Sequence, residues 1–219
     1  MARITDSKNV ARRYHAWIGA VLVAALSVAC STPPQYKAQP PIDIDPSIRG
    51  PVAGVGLEGH DIVSMTDRMA RDMIAQPQIA RRSTAPRIVI DAQYFKNEGA
   101  QIINRNTITD RLRVNLNRAA QGRMIFVGAE NTAMVQLERD LKRSGKTDSG
   151  TVGLTKAQFG VDFRMAGRIA AVDSRNPKTG LMQRYTQVTL QLVDVESGAL
   201  VWEDMYEIAR ASADDIIYR

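Results

Sequence analysis

From residue 61 to residue 143 apolar side chains recur at spacings of three and four, and from residue 163 onward they alternate with polar ones. That change of period divides the chain into a helical part and a strand part. Ile62, Met65, Met69 and Met73 form one stripe, with Asp67, Arg68, Arg71 and Asp72 on the remaining faces, which predicts a helix of about 15 residues from Asp61. A methionine stripe at this spacing is expected to pack on a sheet rather than to line a groove for a partner. Arg81 to Pro86 break the helix, and Arg87 to Phe95 read as the first strand, followed by a loop through Asn97, Gly99 and Asn104. Thr107 or Thr109 can cap a second helix with Ile108, Leu112, Leu116, Ala119 and Ala120 on its apolar face. Met124 to Val127, bounded by Gly122 and Gly128, suit a buried central strand. A third helix is expected from about Asn131 to Arg143 on Met134, Leu137 and Leu141. The glycine-rich segment Ser144 to Thr155 reads as a mobile loop, with one more helical turn from Thr155 to Gly160.

The last third alternates with a period of two. Phe163, Met165, Gly167 and Ile169 share one face against Arg164 and Arg168, and Asn176 to Gly180 make a turn. Val188, Leu190 and Leu192 oppose Gln187, Thr189 and Gln191, then Glu196-Ser197-Gly198 turns the chain again. Leu200, Trp202, Tyr206 and Ile208 oppose Glu203, Met205 and Glu207, and Trp202 and Tyr206 read as core. The fold class is therefore α/β: a single mixed sheet of four or five strands with flanking helices, ending in an antiparallel meander.

Upstream of this domain, residues 1–15 are polar and basic and residues 16–29 are apolar, the layout of a signal peptide. A 14-residue helix spans about 21 Å, short of the roughly 30 Å hydrocarbon core, which disfavours a retained anchor. Ser27-Val28-Ala29-Cys30 resembles the bacterial lipobox, apart from Ser27 where an apolar residue is usual. Cleavage between Ala29 and Cys30 would leave Cys30 to carry lipid, and acylation gives a reason for the chain's single cysteine. Ser31, rather than Asp, follows it, which by the same resemblance implies an outer-membrane anchor facing the periplasm. Six of the nine prolines lie between residues 31 and 57. Such a stretch favours extended polyproline conformation and reaches roughly 80 Å at about 3.1 Å per residue. The expected organisation is a signal peptide (1–29), a lipidated tether (30–57) and a globular domain (58–219).

Charge and composition narrow the chemistry. The formal charge of +6 falls to +3 without residues 1–29, which hold Arg3, Lys8, Arg12 and Arg13 against Asp6, so a nucleic-acid partner is not expected. Beyond His60 the chain has neither His nor Cys, which excludes Ser-His-Asp and Cys-His catalysis, Cys/His zinc sites and disulfides there. Asp194 with Glu196 flank a hairpin turn, and Glu203 with Asp204 point to opposite faces of one strand, so neither acidic pair suits glycoside cleavage. Gly54-Val55-Gly56-Leu57-Glu58-Gly59 matches G-x-G-x-x-G, but no strand precedes it and no acid stands about 20 residues on. No enzyme, catalytic residue, metal or cofactor is expected. Arg105, Arg111, Arg113, Arg118 and Arg123 gather around the second helix with Asp110 the nearby acid, and Arg164 with Arg168 could extend the cluster. It is either a solvated face or a patch for an acidic partner or anionic polymer, with Arg111, Arg113, Arg118, Arg164 and Arg168 as its residues.

Taken together, the chain resembles the LpoB family of lipoprotein activators of penicillin-binding proteins over roughly residues 25–210. The resemblance rests on the lipobox-like Ser27 to Cys30, the proline-rich tether, the helix Asp61 to Met73, and Pro86 to Ile90 followed by Asn97. Thr109 to Arg113, Phe163 to Ile169 and Val193 to Glu203 complete it. CsgG-like curli exporters and the TolB N-terminal domain share parts of the pattern. The resemblance implies an outer-membrane lipoprotein that reaches towards the peptidoglycan mesh, binds a class A penicillin-binding protein and raises its activity without doing chemistry itself. Outer-membrane lipid, through acylated Cys30, is the second partner, and peptidoglycan is a further candidate. The alternative is an envelope lipoprotein that binds wall polymer or an assembly or secretion complex without activating a synthase.

Overall fold

The structure is a computed structural model that describes residues 40–51, 54–147 and 160–213. Cys30, the apolar leader, residues 30–39 and 52–53 of the tether, most of the glycine-rich segment and residues 155–159 of the expected helical turn lie outside the described residues. The chain divides into a unit ending at Asp43 and a unit beginning at Ile44. Residues 40–43 of the first are exposed irregular chain; everything below concerns the second.

Its elements are α1 (Gly59–Ala75), the single turn α2 (Pro77–Ala80), β1 (Arg87–Val89), β2 (Phe95–Asn97), α3 (Arg105–Ala120), β3 (Ile125–Phe126), α4 (Thr132–Arg143), β4 (Phe163–Arg175), β5 (Met182–Asp194) and β6 (Leu200–Ser212). One mixed sheet of six strands runs in the order β3-β1-β4-β5-β6, with β2 also on β4. β1, β2 and β3 join by parallel pairing, while β4, β5 and β6 form the antiparallel meander. The expected architecture stands, with one strand more because Arg87 to Phe95 do not form a single strand. β1 pairs with Phe163 and Arg164, then the chain turns through Ile90 to Tyr94 and returns to the same edge of β4 as β2, opposite Gly167 to Ile169.

α1 and α3 cover one face of the sheet, and the stripes behave as their period requires. Met65, Met69 and Met73 have no exposed surface, and neither have Ile108, Leu112 and Leu116. They meet Phe163, Met165, Ile169, Val188, Leu190, Leu192 and Trp202 from the alternating strands in one core. Each such side chain contributes about 1.5–3 kcal/mol on leaving water. At Gly167 the sheet lets Phe95 come close: a Cβ there would stand 2.1 Å from the ring. A glycine inside a strand commonly marks such an approach.

Three local expectations are corrected. α3 is capped one turn earlier than Thr107 or Thr109: Asn104 accepts from the Asn106 N–H at 3.1 Å. Asn is the stronger cap, and Thr109 instead lies buried inside the helix with its hydroxyl on the Arg105 carbonyl. The apolar segment Met124 to Val127 is not central; β3 is two residues long and half-buried at the end of the sheet. β4 took the other side of β1, so β1 lies between β3 and β4 and β3 is left at the end. α4 forms where expected, but Met134 and Leu137 stay 65% and 63% exposed. Among the described residues this helix packs closely only against the helical turn before it, Ala129–Asn131.

Candidate docking surface

The parallel strands β1 and β3 end beside the start of α3, and a crevice of about 530 Å³ opens there between Asp91, Gln93, Arg105, Asp110, Arg113 and Glu130. Open α/β sheets place their ligand crevices outside the carboxyl ends of parallel strands. Arg113 reaches two carboxylates, Asp110 at 2.9 Å and Glu130. Arg164, projecting from β4, bonds Asp91 at 2.8 Å and Gln93 at 2.7 Å and lies 4.8 Å above the Tyr94 ring. Arg105 is turned to the Phe95 carbonyl. Arg113 thus lines the crevice, while Arg164 does not line it but bonds two of its lining side chains, Asp91 and Gln93; Glu130 and Asp91 are partners that the linear pattern did not associate with these arginines.

The other arginines go elsewhere. Arg111 faces α1, 3.4 Å from Asp67, which also accepts from Asn115 at 2.6 Å. Arg123 bonds the Ala119 and Ala120 carbonyls and so closes the end of α3. Arg118 is exposed in the last helical turn, where a cation suits the helix dipole. Arg168 lies on the uncovered face of the sheet, 4.0 Å from Glu98. That face carries Gln187, Thr189 and Gln191 between Tyr94 and Lys96 on one side and Glu203 on the other, around a shallow concavity of about 710 Å³. Nothing in either depression pairs a nucleophile with a base. Both are surfaces that can exchange internal ion pairs for a partner's, which gives orientation and selectivity more than raw affinity.

A third cluster went unnoticed in the sequence. Glu58, His60 and Asp61 bring their ligand atoms within 4.8 Å of one another, a grouping that could hold a metal ion. Arg210 of β6 enters it, donating to both Asp61 oxygens at 2.7 and 2.9 Å and lying 3.2 Å from His60 Nε2. The guanidinium thus supplies the positive charge a metal would bring. Burial works against the charge on Arg210, but its bonds to Asp61 and the nearby Glu58 outweigh that and hold its pKa above the ordinary arginine value. Arg210 also donates to the Gly56 carbonyl, and Gln101 bonds both the N–H and the carbonyl of Leu57 at 2.8 Å. Residues 54–57, which the sequence assigns to the tether, are strapped to the domain this way, with Val55 and Leu57 buried. The available signal was parity: Arg184 and Arg210 sit at inward positions of alternating strands, where a cation needs a partner.

The model of the family described as peptidoglycan-synthase activator LpoB matches residues 61–208, more than half of the chain and most of this unit. The chain belongs to the LpoB family. Solved structures similar to it include the LpoB C-terminal domain from Salmonella enterica, 14% identical over 65% of this chain and 94% of that one, with a TM-score of 0.36. Lipoprotein GNA1162 from Neisseria meningitidis is 16% identical over 59% and 85%, TM-score 0.31. The PelC dodecamer from Paraburkholderia phytofirmans is 14% identical over 59% and 72%, TM-score 0.26. No curated protein matches the sequence. The LpoB match starts at the buried Asp61 of α1 and ends at Ile208 of β6, so it covers both helices that pack on the sheet and the meander. Among the described residues no helix is long and apolar enough to cross a membrane.

Proposed function

We propose that the protein is a non-enzymatic lipoprotein, anchored through Cys30 in the outer membrane and facing the periplasm, that binds a class A penicillin-binding protein and raises its peptidoglycan synthesis. The observation that carries this reading is the LpoB family match over residues 61–208. The site geometry suits docking: charged groups stand in matched pairs on the sheet and on α3, where a partner's charges can exchange with them. Activation would then be allosteric, the domain binding one state of the synthase better and shifting its population towards that state. Arg111, Arg113 and Arg118 on α3, with Arg164 and Arg168 on β4, are the proposed docking residues. The proline-rich tether gives the domain its reach from the membrane.

The test is capture of a class A synthase from detergent-solubilised envelopes by the full lipidated chain, followed by a glycan-polymerisation assay. A faster rate with the wild type, reduced in an Arg113→Ala/Arg164→Ala variant that folds normally, supports the proposal. Capture without a change in rate refutes activation, and binding to purified sacculi alone would make the protein a wall-binding lipoprotein. Cys30→Ala should move the protein from the membrane to the soluble fraction and remove the mass of the lipid.

A further inference from the structure

β6 is a 13-residue strand at the end of the sheet, and among the described residues no strand lies on its outer side. In an antiparallel pair the N–H and C=O of one residue point the same way, alternately towards the neighbour and away from it. Met205 shows which residues point away: its N–H is bonded by the Asp204 carboxylate at 2.7 Å and its carbonyl by Arg68 of α1. The same parity turns the backbone groups of Glu207, Ala209 and Ala211 outward, and these have no partner among the described residues. Edge strands are ordinarily protected by charge, bulges or covering elements. Here the protection stops at Met205, and the rungs beyond it are bordered by the exposed side chains of Ala209 and Ala211, too small to block an approaching chain.

Charge selects what can approach. Glu203 and Glu207 project from the uncovered face of β6, where their β5 neighbours Gln191 and Tyr185 donate neutral hydrogen bonds to them; the cations of that face, Lys96 and Arg168, lie beyond β5, on the side away from the open edge. Arg210 is turned to the opposite face and held by Asp61 at 2.7 Å. A second copy would bring the same carboxylates to the edge, and pairing centred on Ala209 would set Glu207 against Ala211 with no compensating charge.

We propose that the outer edge of β6, at Glu207, Ala209 and Ala211, accepts an added strand from an extended polypeptide segment carrying Lys or Arg at alternate positions. Main-chain bonds to the open rungs supply affinity, and Glu203 and Glu207 supply selectivity. The inference does not depend on the synthase reading.

It is tested with the full chain in detergent and two fluorescein-labelled hexapeptides, one alternating Lys with Val and the other Glu with Val, read by anisotropy. The basic peptide should bind and protect the Glu207, Ala209 and Ala211 amides from hydrogen exchange, and the acidic one should not. Ala209→Pro, which removes one outward donor, should weaken binding about tenfold, the worth of roughly one main-chain hydrogen bond. Glu207→Lys leaves the backbone unchanged and should shift preference towards the acidic peptide, so the test holds even where Ala209→Pro fails to fold. Equal binding of both peptides, no binding of the basic one, or no change in preference on Glu207→Lys overturns the proposal. A dimer of the chain that protects the same three amides also overturns it, because a second copy would then be the occupant.

Discussion

Replacing Gly167 by alanine adds one methyl group at the tightest point between strand and core. The new Cβ would stand 2.1 and 2.2 Å from Cδ2 and Cε2 of Phe95 and 2.7 Å from a methyl of Leu190. Phe95 is 1% exposed and Leu190 fully buried, so neither has free space to enter. Overpacking a dense core costs about 1–3 kcal/mol, and displacing a buried phenylalanine costs about 3–5. A loss of about 3 kcal/mol follows, which for a domain of this size lowers Tm by roughly 6–12 °C. The assay is thermal and urea unfolding of Gly167→Ala, Phe95→Leu and the double variant. Phe95→Leu alone destabilises by removing ring contacts, but in the double variant the smaller side chain makes room for the methyl. The cycle should therefore show a favourable coupling of about 1–2 kcal/mol. A Gly167→Ala protein with unchanged Tm, or a strictly additive cycle, would refute the close approach of β2 to β4 and with it the reason the first strand divides.

Three other substitutions probe the charged and polar contacts. Arg210→Met leaves Asp61, 2% exposed, without its cation and should cost about 3 kcal/mol in urea unfolding; a loss under about 1 kcal/mol would mean that water or His60 replaces the guanidinium. Trp202→Phe removes the indole N–H that donates to Asp72 at 2.6 Å and should cost about 1–2 kcal/mol, measured by the same method. Asp173 is held below its ordinary pKa by its bonds from Arg184, at 2.6 and 2.7 Å. A depressed carboxylate contributes stability above its unfolded value of 3.8 and loses it as pH falls through the folded value. Wild type should therefore lose more stability than Asp173→Asn on acidification below about pH 4, by an amount that shrinks with added salt, and parallel profiles would count against the pair.

Elements whose signal is local were legible in the sequence. The 3.6-residue stripe of α1, the face of α3 and the alternation of β4, β5 and β6 each follow from which side of one element must leave water, and the structure buries those sides except at Ala119 of α3 and Leu200 at the start of β6, which stay exposed. The turns after Arg175 and Asp194 were legible for the same reason, because Gly180 and Gly198 take the left-handed conformation that closes them. The arginines proposed for docking were visible as a list of charges but not as an arrangement. Arg113 lines the crevice at the start of α3, Arg164 reaches Asp91 and Gln93 at its rim from β4, and Arg168, four residues further along β4, lies over the open sheet.

The remainder was decided by contacts between segments far apart in the chain. Four apolar residues from Met124 to Val127 describe a buried strand equally well at the centre or the end of a sheet; its place was set by β4 choosing the other side of β1. The division of Arg87 to Asn97 into two strands depends on Gly167 receiving Phe95 across the sheet. The stripe of α4 is as regular as that of α1, yet periodicity shows only that one face is apolar, not that a surface exists to receive it. Arg210 and the buried Asp61, separated by most of the domain, become one ion pair only when the last strand is laid beside the first helix. Local period fixes which face of an element is apolar, while neighbour, register and charge partner come from the free energy of bringing distant segments together.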